Sequence, residues 1–170
     1  LATWAKLGAM RIYVPATLQE LHDEQFGAGG RIVHAVTPEL RQALNRGGAE
    51  SYDDEDLEYA AFLAAADTSL DLLAGAPDAT PRRLVIAADV PEDATGPARA
   101  GMPGADSPSA LDLRHPLSEI EMVSFHVDED TAAARKVVAR AMQDDGQARQ
   151  QADELDLLWF DVTERAALRP

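Results

Sequence analysis

Apolar residues cluster in four short runs that read as strands, separated by segments in which apolar positions recur at helical spacing. Arg11-Ile12-Tyr13-Val14 is the first run, and Pro15, which has no N–H to donate, is expected to end its ladder. Thr17 follows as a helix cap, with Glu20 three residues on to complete a capping box. Leu18 and Leu21, joined by Phe26, give that short helix an apolar face, and Gly27, Gly29 and Gly30 end it. A second run covers residues 31–36 and carries Ile32, Val33, Ala35 and Val36. Thr37-Pro38-Glu39 then combines a capping hydroxyl, a proline at the first helical position and an acid in the first turn. The helix it starts is expected to run to about Asn45 and to break at Gly47-Gly48.

The longest helix is expected to start from a cap at Ser51 or Asp53 and to end at Gly75 and Pro77. Its acidic first turn, Asp53 to Asp56, suits the positive end of the helix dipole, and Leu57, Phe62, Leu63, Leu70 and Leu73 recur along it. Leu84-Val85-Ile86-Ala87-Ala88, within the run 83–90, is continuously apolar and reads as a central strand covered on both faces. Residues 91–109 hold four prolines and three glycines and read as a mobile surface loop. Ile120 to Val127 is the fourth strand. Asp128 or Asp130 is expected to cap a helix from Thr131 to about Gln143, broken by Asp144-Asp145-Gly146, and a last helix is expected over 153–168, carrying Leu155, Leu158, Trp159 and Val162. The resulting order, β-α-β-α-α-β-β-α-α, predicts an α/β domain with helices packed on a four-stranded, mixed sheet. It spans residues 10–170, with Met10 read as the natural start and residues 1–9 as an extension.

Composition narrows the functions. The 170 residues carry 30 acidic and 15 basic side chains, a net charge of -15. Such a field opposes direct contact with nucleic-acid phosphates and with anionic membranes, and favours basic protein partners or cations. There is no cysteine, which removes disulfides, thiolate metal sites and cysteine nucleophiles and accords with a cytoplasmic setting. No apolar run approaches the ~20 residues that a bilayer span requires.

Several segments carry a resemblance. They are Met10 to Thr17 (MRIYVPAT), Ala35-Val36-Thr37-Pro38, Leu57-Glu58-Tyr59-Ala60, Arg82 to Val90 (RRLVIAADV), His126-Val127-Asp128 and Leu157-Leu158-Trp159-Phe160. In this order the chain resembles an uncharacterised actinobacterial protein family, a domain of unknown function. The resemblance covers the chain from Met10 onward and implies a bacterial cytoplasmic protein. It implies no activity and no catalytic residue.

Four constellations are candidates for chemistry. Asp89 closes the third strand, and Asp128 and Asp130 lie at the end of the fourth, beyond His126. If the two strands are neighbours and run the same way, these groups converge into a site suited to Mg²⁺ or Mn²⁺; the plainer account is helix capping and loop anchoring. His34 and His126 form a possible imidazole pair, against the commoner role of a strand histidine as a satisfied structural residue. Arg11, Arg82 and Arg83, with Arg31, open strands and suggest an anion site if the strands are parallel, or else simple pairing with nearby acids. Trp159-Phe160 offers a partner surface if one ring is exposed, or core packing if both are buried. Gly27-Ala28-Gly29-Gly30 lacks a dinucleotide or P-loop pattern, and no Gly-x-Ser-x-Gly elbow occurs. The leading expectation is therefore a non-enzymatic, cytoplasmic protein-binding or regulatory module without a cofactor, acting on a protein partner or as a homodimer. The alternative is a small divalent-metal-dependent hydrolase built on Asp89, His126 and Asp128.

Overall fold

A computed structural model describes residues 8–24, 26, 30–46, 51–143 and 145–170. Its strands are β1 (Ala9–Ala16), β2 (Arg31–His34), β3 (Leu84–Pro91), β4 (Thr95–Pro97), β5 (Ala110–Leu113), β6 (Met122–Asp128) and β7 (Leu157–Asp161). They form one seven-stranded sheet in the order β4-β5-β2-β1-β3-β6-β7. Every neighbouring pair is antiparallel. This corrects the expected four-stranded mixed sheet. The four expected strands are present as β1, β2, β3 and β6, but β4, β5 and β7 join them. The helices are α1 (Leu18–Leu21), α2 (Pro38–Asn45), α3 (Asp54–Ala74), α4 (Ala132–Ala141) and α5 (Gly146–Asp153). Helices layered on a sheet keep the chain α/β in the broad sense.

The caps explain where the helices start. Thr17 accepts from the Glu20 N–H, Thr37 from that of Leu40, and Asp53 and Asp56 form a reciprocal capping box. At α4 the cap is Thr131, which accepts from the Ala134 N–H at 3.1 Å, and not Asp128 or Asp130. β1 does not stop at Pro15, because Pro15 and Ala16 remain in register with Val85 and Leu84 of β3. The expected glycine breaks at residues 27–29 and 47–48 lie outside the described residues.

The last expected helix is replaced by β7 and a 3₁₀ turn over Val162–Ala167. Leu157 to Asp161 pair residue for residue with Asp128 to Ser124. The free edge of β6 gives this apolar run a full ladder of backbone partners. Residues 91–109, expected as a loop, contain β4 and a chain of turns.

Alternation on the strands makes two cores. Ile12 and Val14 of β1, Leu84 and Ile86 of β3 and Phe125 of β6 face the larger one, closed by Leu18, Leu21, Phe26, Leu117 and Leu168. Tyr13, Val85 and Ala87 face the other way, against α3. That helix approaches closely because its buried stripe includes Ala61, Ala65 and Ser69, four residues apart. The Ser69 hydroxyl donates to the Ala16 carbonyl at 2.8 Å and accepts from the Leu84 N–H at 3.0 Å, tying the helix to the end of β1 and the start of β3. Leu57 adds full burial there, and Leu70 and Leu73 are fully buried in a third cluster against α4 and α5, at about 1.5–3 kcal/mol each. α3 packs over β1, β2 and β3, and the same face of β6 and β7 lies beyond it.

Candidate functional site

Because α3 ends its cover at β3, a groove of about 1010 Å³ opens between its flank and the face of β6 and β7. Cross-strand register sets its floor: Val85 opposes His126, and His126 opposes Trp159. One step along, Tyr13 opposes Ala87, which opposes Ser124. The wall is α3, from which Glu55, Glu58, Tyr59, Phe62 and Leu63 line the opening. Asp153, Asp156 and Leu157, on the segment leading into β7, complete it.

Rings dominate this groove. Phe62 stands edge-on to Tyr13, with centroids 5.9 Å apart, and edge-on to His126 at 5.0 Å. Tyr59 stacks beside Phe62 at 6.3 Å with planes 19° apart. These geometries suit ring quadrupoles. Phe62 is half-buried, whereas Tyr59 is 60% exposed and Trp159 61%. Leu63 and Val123 are exposed beside them. So much apolar ring surface left in water is unusual beside a charged rim.

The titrating groups are held in defined states. His126 is lowered from its ordinary value, first by burial and then by the nearby positive charge of Arg11. It is therefore neutral near pH 7, and Ser124 Oγ lies 3.0 Å from its Nε2. Tyr13 is raised by burial and by the negative charge of Glu58. Arg11 Nε donates to Asp89 Oδ1 at 2.7 Å, and this hydrogen bond is the main cause of its raised pKa. With Arg11 matched to Asp89, the carboxylates Glu55, Glu58, Asp153 and Asp156 set the sign of the groove.

The chain matches a family of unknown function, DUF6912, over residues 10–168. It belongs to that family. Neither a curated protein nor a solved structure matches it. The family therefore carries no assigned activity to this chain, and the site rests on its own geometry.

That geometry separates the residues expected to bind a metal. β3 and β6 are neighbours but antiparallel, so Asp89 lies at one end of the sheet and Asp128 at the other. Asp128 is fully buried and already saturated. Arg83 donates to it from Nε at 2.9 Å, from Nη2 at 2.7 Å and from its backbone N–H at 2.7 Å. Arg82 donates to the Asp128 carbonyl oxygen through Nε and Nη2. Asp130 is exposed and held below its ordinary pKa chiefly by a hydrogen bond from Arg135. Among the described residues no group of three or more His, Asp or Glu side chains is placed to hold a metal ion.

The arginines do not gather into an anion site either. Arg11 sits at the Asp89 end of the sheet, while Arg82 and Arg83 lie at the opposite end of β3. Arg31 pairs with Glu20 and donates to the Pro15 carbonyl, with its guanidinium over the Phe26 ring.

The histidines are likewise apart in role. His34 is fully buried on β2. Its Nδ1 lies 2.8 Å from Ser109 Oγ and its Nε2 2.8 Å from Thr68 Oγ1, so both ring nitrogens are satisfied. Burial drives its pKa down to about 4. His126 alone of the two reaches the groove. Trp159 and Phe160 project to opposite faces because they lie on a strand: Trp159 into the groove, Phe160 against the larger core. The groove residues that sequence reasoning passed over are Tyr13, Glu58 and Tyr59. The available signal was Tyr59-Phe62-Leu63, an i, i+3, i+4 set on α3 displaced from the buried Leu57-Ala61-Ala65 stripe.

Proposed function

We propose that this chain is a cytoplasmic, non-enzymatic protein-binding module that receives a basic segment of a partner protein in the groove between α3 and β6–β7. The observation that carries the reading is the pair of exposed rings, Tyr59 and Trp159, standing in a groove lined by Glu55, Glu58, Asp153 and Asp156. A Lys or Arg side chain laid against an aromatic face gains about 0.5–1 kcal/mol when exposed and about 2 when desolvated. Glu55, Glu58, Asp153 and Asp156 add attraction at the rim, and the net charge of -15 steers a basic chain from a distance. A second copy of the same chain is a poorer occupant, since both copies carry that charge. Among the described residues no helix is long and apolar enough to cross a membrane. The absence of cysteine accords with the cytoplasmic placement.

The test is a fluorescence-anisotropy titration with short peptides alternating Arg and Val, against peptides with Glu in place of Arg. The reading expects saturable binding of the basic peptides alone. It expects about tenfold weakening by Trp159→Ala and by Glu58→Gln, together with loss at high salt. Binding that ignores peptide charge, or that survives both substitutions unchanged, defeats it.

A further inference from the structure

The two edges of the sheet are not alike. β4, at one edge, is only three residues long, contains Gly96 and Pro97, and has the Arg114 side chain lying over Gly96. Short length, proline and a covering charged side chain are the usual devices that keep an edge from pairing with another chain. β7, at the other edge, has none of them. Its five residues, Leu157 to Asp161, include no Pro, Gly or Lys, and their register with β6 is uninterrupted. Among the described residues no strand pairs with its outer side. Leu158 is 43% exposed on one face of this edge and Trp159 on the other, and Asp156 and Asp161 bracket it.

We infer that β7 is the docking strand: the basic segment of the partner adds to its free edge as an eighth strand. This rests on the proposed reading of the groove and specifies how the partner is held. An extended segment on β7 exchanges main-chain hydrogen bonds with it, which supply affinity without regard to sequence, while alternate side chains supply selectivity. One set of side chains points to the α3 side of the sheet, where a Lys or Arg meets the Trp159 ring and the Asp156 carboxylate at the outer rim of the groove. The other set points to the opposite face, where an apolar residue covers Leu158. The ligand class is thus an extended peptide alternating basic and apolar residues. Charge selects it: acids flank the open strand, whereas a second copy of β7 would bring its own Asp156 and Asp161 against them.

The test leaves the protein untouched and alters the probe. An alternating Arg-Val hexapeptide is made in two N-methylated forms, each blocking one set of alternate amides. A strand added at one edge donates only alternate amides to its neighbour. One form is therefore expected to bind at least about tenfold more weakly than the parent peptide and the other within about twofold. Amide hydrogen exchange of 157–161 should slow on binding the parent peptide. Equal binding of both methylated forms overturns the strand addition while leaving the groove reading intact. Failure of the parent peptide to bind overturns the groove reading and this inference with it.

Discussion

Acidification from about pH 7.5 to about pH 5 should withdraw about 2 kcal/mol of folding stability through His34 alone. The folded pKa of His34 is lowered from 6.5 to about 4 by burial. The unfolded chain takes up the proton below about pH 6.5, whereas the folded chain resists it down to about pH 4. The folded state therefore binds fewer protons throughout that window, and stability falls as pH falls through it. Each unit of pH inside the window costs about 1.36 kcal/mol, so about 1.5 units give the stated loss. The structural reason is that Ser109 and Thr68 satisfy both ring nitrogens of the neutral imidazole in a site with no exposure. A proton would place a charge there with no carboxylate partner.

The assay is urea denaturation of the parent and of His34→Gln at several pH values. The glutamine keeps a donor and an acceptor but does not titrate, and carboxylates common to both proteins cancel in the difference. Between the two pH extremes the parent's midpoint should fall by about 1 M urea more than the variant's, for a slope near 2 kcal/mol per M. Parallel pH dependence of the two proteins would refute the reasoning.

Four further outcomes are expected. Asp128→Ala strands the buried guanidinium of Arg83 and should cost about 3–5 kcal/mol by chemical denaturation, with Asp128→Asn intermediate. Gly104 has φ +82, and a Cβ there would press on Thr68 and come within 3.1 Å of His34 Nε2; Gly104→Ala should lower stability by more than about 1 kcal/mol. Trp159→Ala should leave the thermal midpoint nearly unchanged, within about 0.5 kcal/mol. By contrast Phe125→Ala, in the larger core, should cost about 3–5 kcal/mol.

Much of the fold is legible in local chemistry, and what is missed is missed for physical reasons. Thr17, Thr37 and Asp53 announce helix starts because a cap is a contact between residues three apart, visible in sequence. The run Leu84 to Ala88 announces burial on both faces, and its alternate residues do enter the two cores on either side of the sheet. Direction is another matter: an apolar run reads the same whether its neighbour is parallel or antiparallel, and the metal and anion expectations both depended on direction. β4 has no apolar run and β5 is only four residues long, and they owe their pairing to each other and to β2. Leu155, Leu158 and Val162 fit a helical spacing, yet the free edge of β6 draws 157–161 into a strand. The Trp159-Phe160 pair was legible as a partner surface or as core packing, but which ring is exposed was not, because the segment reads as a helix and folds as a strand. Tyr13 and Tyr59 were not legible as groove residues, because only the sheet order shows that α3 stops short of β6.

The position of β1 in the middle of the sheet bears on how the chain is made. Arg11 on β1 pairs with Asp89 on β3, 78 positions later. At about 5–20 residues per second, a ribosome takes roughly 4–16 s to synthesise that interval. Ile12 and Val14, both fully buried at the end, have no β3 to lie against while it is being made. α1 and β2 are complete within that time, but β1 pairs with β2 only at Tyr13 and His34, too little to shelter it. β1 is thus an apolar strand on offer until β3 has been made. A holding chaperone that covers this strand until β3 has emerged would raise the yield of folded protein.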